Sequence, residues 1–312
     1  MRSYCKWVAP WLLCLLLVTA MLPVRAEAAG LVDEEAPLSL TVCFRSGETA
    51  LTDLPFSLYL VADMDAYGEL TVTEAFRAFN VDIRGENDEA WRTLATTLEG
   101  YVAQSGIEPV DVGVTDETGS LTFPCMAQTL PRGLYFVPGF RYLQEGYIYE
   151  AEPFLVLLPC VDAVSNQWVY DLTVQPKYAQ PEDLPMVRKA IKVWDDEGNE
   201  EKRPDRIVVQ LLRDGEVWDT VTLSAENDWR CTWVDLSGHH RWTVVEQVPQ
   251  GYTVEITQEG IAFVVKNTYK GTTPTPPSLP QTGQLWWPVP VLAAAGLFCL
   301  VLGLLRRRED AV

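Results

Sequence analysis

Both ends of the chain carry long apolar runs, and between them apolar and polar residues alternate over short distances. Residues 8–22 are almost continuously apolar, with Arg2 and Lys6 before them and Val24, Ala26, Ala28 and Ala29 after them. A basic start, a short apolar stretch and a small-residue exit predict a secretory signal peptide over residues 1–28, cleaved after Ala26 or Ala28. Residues 285–305 carry no charge and meet Arg306, Arg307 and Arg308 directly. That run is long enough to cross a bilayer. Basic residues beside a span stay cytoplasmic, so the bulk of the chain is expected outside.

The interior reads as β-structure. In residues 33–180, β-rich segments at 39–44, 56–61, 121–123, 134–137, 154–158 and 168–174 are separated by turn residues. One stretch breaks this rhythm: Trp91, Leu94, Leu98, Tyr101 and Val102 recur at helical spacing over residues 88–104. Asn87 or Asp88 can cap that helix and Gly106 can end it. It is expected to be inserted in a β-sandwich and packed on its edge. Residues 179–186, rich in Pro and acids, read as a linker. Residues 187–270 hold seven short strand patterns with an Asp214-Gly215 hairpin turn, the mark of a second small sandwich. Residues 271–278 are Thr, Pro, Gly and Ser, which favours an extended stalk.

Charge narrows the function classes. The chain has 24 basic and 43 acidic residues. Leaving out six basic and two acidic residues at its ends gives 18 and 41, a net of −23. Such an acidic body argues against nucleic acid as a partner. Cys43, Cys125, Cys160 and Cys231 remain when both ends are left out, with no CxxC pair, and His239 and His240 are the chain's histidines. No metal site and no cofactor are expected. Export permits disulfides, and a Cys43 bond to Cys160 or Cys125 is one expectation for the first sandwich. No Ser-His-Asp arrangement or paired-carboxylate motif is recognisable, so the protein is not expected to be an enzyme.

Three constellations carry resemblances. Leu279-Pro280-Gln281-Thr282-Gly283, followed by the apolar run and the arginines, resembles the cell-wall sorting signal of Gram-positive LPXTG surface proteins. The resemblance implies cleavage by a sortase between Thr282 and Gly283 and transfer of the Thr282 carbonyl to an amine. Residues 279–312 would then be the sorting signal, the precursor being held in the membrane by a C-terminal transmembrane helix before transfer to peptidoglycan. Lys192-Val193-Trp194-Asp195-Asp196, Lys202-Arg203-Pro204, residues 209–215, residues 246–252 and Val265-Lys266-Asn267-Thr268-Tyr269 follow in order. They resemble the B-type repeat domain of collagen-binding adhesins. That resemblance implies an internal isopeptide bond between Lys192 and Asn267, assisted by Glu246. Strand alternation agrees with Asn267, but alone it prefers Lys189 to Lys192, because Lys189 shares its parity with Val187, Ile191 and Val193.

The segment from Trp168 to Lys177 resembles the pilin motif of sortase-assembled pili, with Gln175 where an aromatic residue is usual. In that family such a lysine attacks the thioester of the next subunit, which assigns Lys177 as the polymerisation lysine. Lys177 is also the sole lysine of the first sandwich. No Lys–Asn bond is expected there, since the first-strand positions considered hold Thr41, Cys43 or Arg45.

The expected fold class is all-β: two Ig-like or B-type β-sandwiches in tandem, the first with an inserted helix, then a C-terminal sorting helix. The expected function is that of a secreted, wall-anchored structural protein. Its expected partners are sortase, peptidoglycan and other pilin subunits; a monomeric adhesin meeting a host surface protein is the alternative.

Overall fold

The computed structural model describes residues 30–83, 85, 87–144, 146–181 and 184–271. The expected signal peptide, most of the expected stalk and the whole of the expected sorting segment lie outside the described residues. Strands dominate, as the alternating pattern requires, and contacts group both sandwiches into one compact unit that ends at Lys270.

In the first sandwich, strand Pro55–Met64 pairs with Gly133–Val137, Leu70–Val72 and Asp111–Val114. The facing layer sets Ser39–Cys43 between Ser120–Phe123, antiparallel, and Asp171–Val174, parallel. Leu40, Val42, Phe44, Phe56, Leu58 and Phe123 fill the space between the layers. The inward face of Ser39–Cys43 is therefore Leu40 and Val42, while Thr41 and Cys43 are half-buried on its other face. All five residues of Gly133–Val137 are buried. Tyr135 and Val137 face this core, while Leu134 and Phe136 face a second apolar cluster formed with the helix.

The expected disulfide from Cys43 is absent: Cys43, Cys125, Cys160 and Cys231 are free thiols. The register explains it. Cys43 lies opposite Ser120, whereas Cys125 follows Phe123, which lies opposite Leu40 at the other end of the strand. Cys160 pairs with Val169, just before Asp171, which lies opposite Ser39 at that same far end. A disulfide needs Cα atoms within about 7 Å.

The helix Asp88–Ser105 begins where Asn87 accepts the Glu89 and Ala90 N–H groups at 3.0 and 2.9 Å, and ends at Gly106 with φ 66°. Contrary to expectation, it does not pack on the edge of the sandwich it is inserted in. Leu94, Leu98 and Val102 cover the face of the first sandwich's sheet. The adjoining surface of the same helix, with Thr97, Glu99, Gly100 and Tyr101, lies against the second sandwich. The expected linker is strand at both its ends: Ala179 pairs with Glu150, and Met186 opens the next strand.

The second sandwich has seven strands among the described residues: Met186–Asp195, Arg206–Arg213, Glu216–Ser224, Arg230–Leu236, Trp242–Glu246, Tyr252–Glu259 and Ala262–Tyr269. Numbered first to seventh, they form one sheet in the order fourth, first, seventh, sixth and another in the order third, second, fifth. The first and seventh strands run parallel, side by side. Asp214 and Gly215, at φ 53° and 87°, make the hairpin between the second and third strands. Val209, Leu211, Val244, Val254, Ile256 and Phe263 are among its core residues.

A buried charge cluster ties the sandwiches together. Arg241 donates to both Glu99 carboxylate oxygens at 2.7 and 2.8 Å and to Glu150 at 2.8 Å. Arg141 donates to Glu150 at 2.6 Å and to the Gly238 carbonyl. Removing one partner of a buried pair leaves its mate desolvated and unpaired. Arg241→Met is therefore expected to destabilise the protein by about 3–5 kcal/mol, read from a denaturant midpoint. A change within experimental error would show that the cluster adds nothing to the joint.

Candidate functional site

Burial in the strand Met186–Asp195 alternates, and Arg188, Ala190 and Lys192 hold the buried positions. Lys189 is half-buried with Val187 and Ile191 on the outer face, so the structure places Lys192 and not Lys189 toward the core. The alternation of residue types ran the other way because this strand turns ionisable side chains inward. In the parallel register Lys192 lies opposite Val265, and Asn267 lies opposite Trp194, one inward position further along. Glu246 ends the fifth strand and reaches across from the other sheet.

The three side chains meet. The Asn267 amide donates to Glu246 Oε1 at 3.1 Å, and Lys192 Nζ stands 3.6 Å from that same oxygen. Lys192 Nζ donates to the Val265 and Val193 carbonyls at 3.2 and 3.3 Å, and the Trp194 ring covers it at 4.3 Å. The Lys192 and Glu246 side chains have no exposure, and neither does Asn267. Glu246 Oε2 and Asn267 Oδ1 are buried without a partner. Natural cores rarely leave such atoms unsatisfied, and each one costs stability.

Burial shapes the electrostatics. It pushes Glu246 up to about 7, against the partial pull of the Lys192 charge. It pushes Lys192 down to about 8, with the Glu246 charge opposing. Ordinary values of 4.5 and 10.5 favour an ion pair overwhelmingly. Each unit by which that gap closes raises the share of neutral amine beside neutral acid tenfold. The arrangement therefore makes the neutral pair, a free amine beside a proton donor, an accessible minor state next to a carboxamide in one dry pocket.

Lys177 is exposed, between Asp171–Val174 and Tyr178–Ala179, and its carbonyl accepts the Glu152 N–H at 3.0 Å. It lines a groove of about 470 Å³ with Trp91, Phe154, Leu157 and Val174. Leu279, Pro280, Gln281, Thr282 and Gly283 lie outside the described residues. Sequence reasoning missed Tyr101, whose phenol donates to the Glu246 carbonyl at 2.8 Å. Tyr101 belongs to the helix's apolar stripe, and no local pattern distinguishes a stripe that serves two sandwiches from one that serves a single sheet.

Residues 188–268 match the Cna protein B-type domain family, so the second sandwich is a Cna B-type domain. A collagen adhesin of Staphylococcus aureus is 34% identical over 99 residues, which is 30% of this chain and 8% of that protein. The chain thus matches only a small part of the relative's length. Among solved structures, a single B repeat unit of the Staphylococcus aureus collagen-binding protein aligns at 17% identity with a TM-score of 0.26, covering 75% of this chain and 98% of that one. The major pilin SpaD of Corynebacterium diphtheriae aligns at 16% identity with a TM-score of 0.29, covering 76% and 65%. The shaft pilin SpaA of Lactobacillus rhamnosus GG aligns at 15% with a TM-score of 0.26, covering 77% and 100%. TM-scores this low establish no common arrangement of the two sandwiches.

Proposed function

We propose that the protein is a wall-anchored surface subunit of a sortase-assembled pilus, and that its second sandwich locks itself with a Lys192–Asn267 isopeptide bond. The observation that carries this reading is the sealed contact of Lys192, Glu246 and Asn267. In the reaction, neutral Lys192 Nζ attacks Asn267 Cγ. Half a turn of the Asn267 amide about Cβ–Cγ turns Oδ1 toward Glu246, whose acidic proton polarises the carbonyl. The C–Nδ2 bond breaks as the new C–Nζ bond forms. Glu246 relays the proton lost by the amine to the departing nitrogen, which leaves as ammonia. Folding brings the reactants together, so the step needs no external enzyme.

Intact mass tests it: the mature chain should be lighter by one ammonia, and an unchanged mass would discard the bond. The reacting pair needs one proton between Lys192 and Glu246. Below about 7 both groups are protonated and the amine is lost as a nucleophile; above about 8 both are deprotonated and the acid is lost. Bond formation is thus expected to be fastest between those values and to slow on either side. A rate that climbs steadily with pH would remove Glu246 as the proton donor.

Anchoring and polymerisation rest on Thr282 as donor and Lys177 as acceptor, with sortase and peptidoglycan as partners. The exposure of Lys177 supports its role. The similarity to a segment of a collagen adhesin favours a second reading, a monomeric wall-anchored adhesin with the same internal bond.

A further inference from the structure

We propose that the long helix forms the outer wall of the bond-forming centre and that Tyr101 is a positioning residue for Glu246, so that the second sandwich closes its bond efficiently only with the first docked against it. This rests on the reading that Lys192 and Asn267 become joined.

The fifth strand is the last in its sheet. Gln247 N–H donates to the Val208 carbonyl at 3.0 Å, which makes Gln247 and Val208 a hydrogen-bonded pair. Its neighbours Glu246 and Val209 are then a non-hydrogen-bonded pair, and the Glu246 carbonyl points away from the second strand, over an open edge. Tyr101 satisfies it. One residue earlier in the helix, a Cβ on Gly100 would lie 2.6 Å from the Val244 carbonyl oxygen, so only glycine lets the helix sit this close.

The sixth strand ends the other sheet on the same side of the sandwich, and its open edge is covered too. Ile256 N–H donates to Thr97 Oγ1 at 2.8 Å, and Val254 N–H donates to the Asn80 carbonyl at 2.9 Å. Val81 and Tyr101 pack against the second sandwich's core. The first sandwich thus closes the seam between the two sheets, behind the backbone that carries Glu246. Without it, two strand edges and the Glu246 carbonyl would face water. The dry surroundings that narrow the gap between acid and amine, and so raise the share of the neutral pair, would be weakened with them.

The test uses the full mature chain, prepared in acid to stall the reaction and then brought to neutral pH, with ammonia loss followed by intact mass. Tyr101→Phe keeps the ring and removes the phenol. It should slow bond formation about tenfold and alter the shape of the rate's pH profile, because the Glu246 carboxyl is held less firmly beside its partners. Gly100→Leu lifts the helix from the seam and should slow it further. A Tyr101→Phe chain that reacts at the native rate, or slower with an unchanged pH profile, would overturn the proposal, since a merely weakened fold lowers the rate alike at every pH. A native chain that never loses ammonia would overturn the underlying bond instead, and would be recognised before any variant is made.

Discussion

Glu246→Gln should leave the mature chain one ammonia heavier than the native protein, beyond the mass of the substitution itself, and cost about 4–5 kcal/mol of stability. The size follows from the chain. A bond from position 192 to 267 closes a loop of about 75 residues, and the entropy that such a loop removes from the unfolded state gives that figure in the chain-entropy treatment of cross-links. Glutamine keeps the shape of Glu246 but has no acidic proton to give, so the effect isolates proton relay from packing. Lys192→Met should block the bond equally while filling the site with an apolar chain of similar length. Mass spectrometry and a denaturant midpoint decide it. A Gln variant that still loses ammonia would mean that the carboxyl is not the proton carrier.

Lys177→Ala should abolish the ladder of high-mass species in wall extracts and leave a single anchored band. Lys177 is the only lysine in the first sandwich, and its exposed position beside an apolar groove leaves the amine open to an acyl-enzyme. The loss should be complete, because no neighbouring amine in that sandwich can replace it. Lys177→Arg should behave as Lys177→Ala does, since a guanidinium keeps its proton and is no nucleophile at neutral pH. A native extract that already runs as a single band would favour the monomeric adhesin.

The β character of both sandwiches, the hairpin at Asp214-Gly215 and the capped helix were legible because each depends on local chemistry: alternation, φ > 0 residues and a side-chain cap. Alternation agreed with Asn267, but Lys192 and Glu246 were legible only through motif resemblance. Alternation favoured Lys189 because periodicity records which parity is apolar, and in the first strand of the second sandwich the buried parity carries Arg188 and Lys192. The placement of the helix was not legible. Thr97, Glu99 and Gly100 look like ordinary solvent positions, and their burial depends on strands more than a hundred residues away in sequence. The free cysteines have the same origin. Counting thiols allows a pair, whereas strand register decides which ends of a strand they occupy.

The parallel pairing of the first and seventh strands of the Cna B-type domain has a mechanical meaning. Seven registered pairs, from Lys189–Ala262 to Asp195–Thr268, join the strand where the chain enters this domain to the strand where it leaves. Tension applied along the chain arrives at Met186 and departs at Tyr269, at opposite ends of that ladder. Such a pull slides the two strands past each other and loads all the rungs at once, where a hairpin would unzip them one by one. The domain is thus built as a shear clamp, and the remaining strands bear little of the load while the clamp holds.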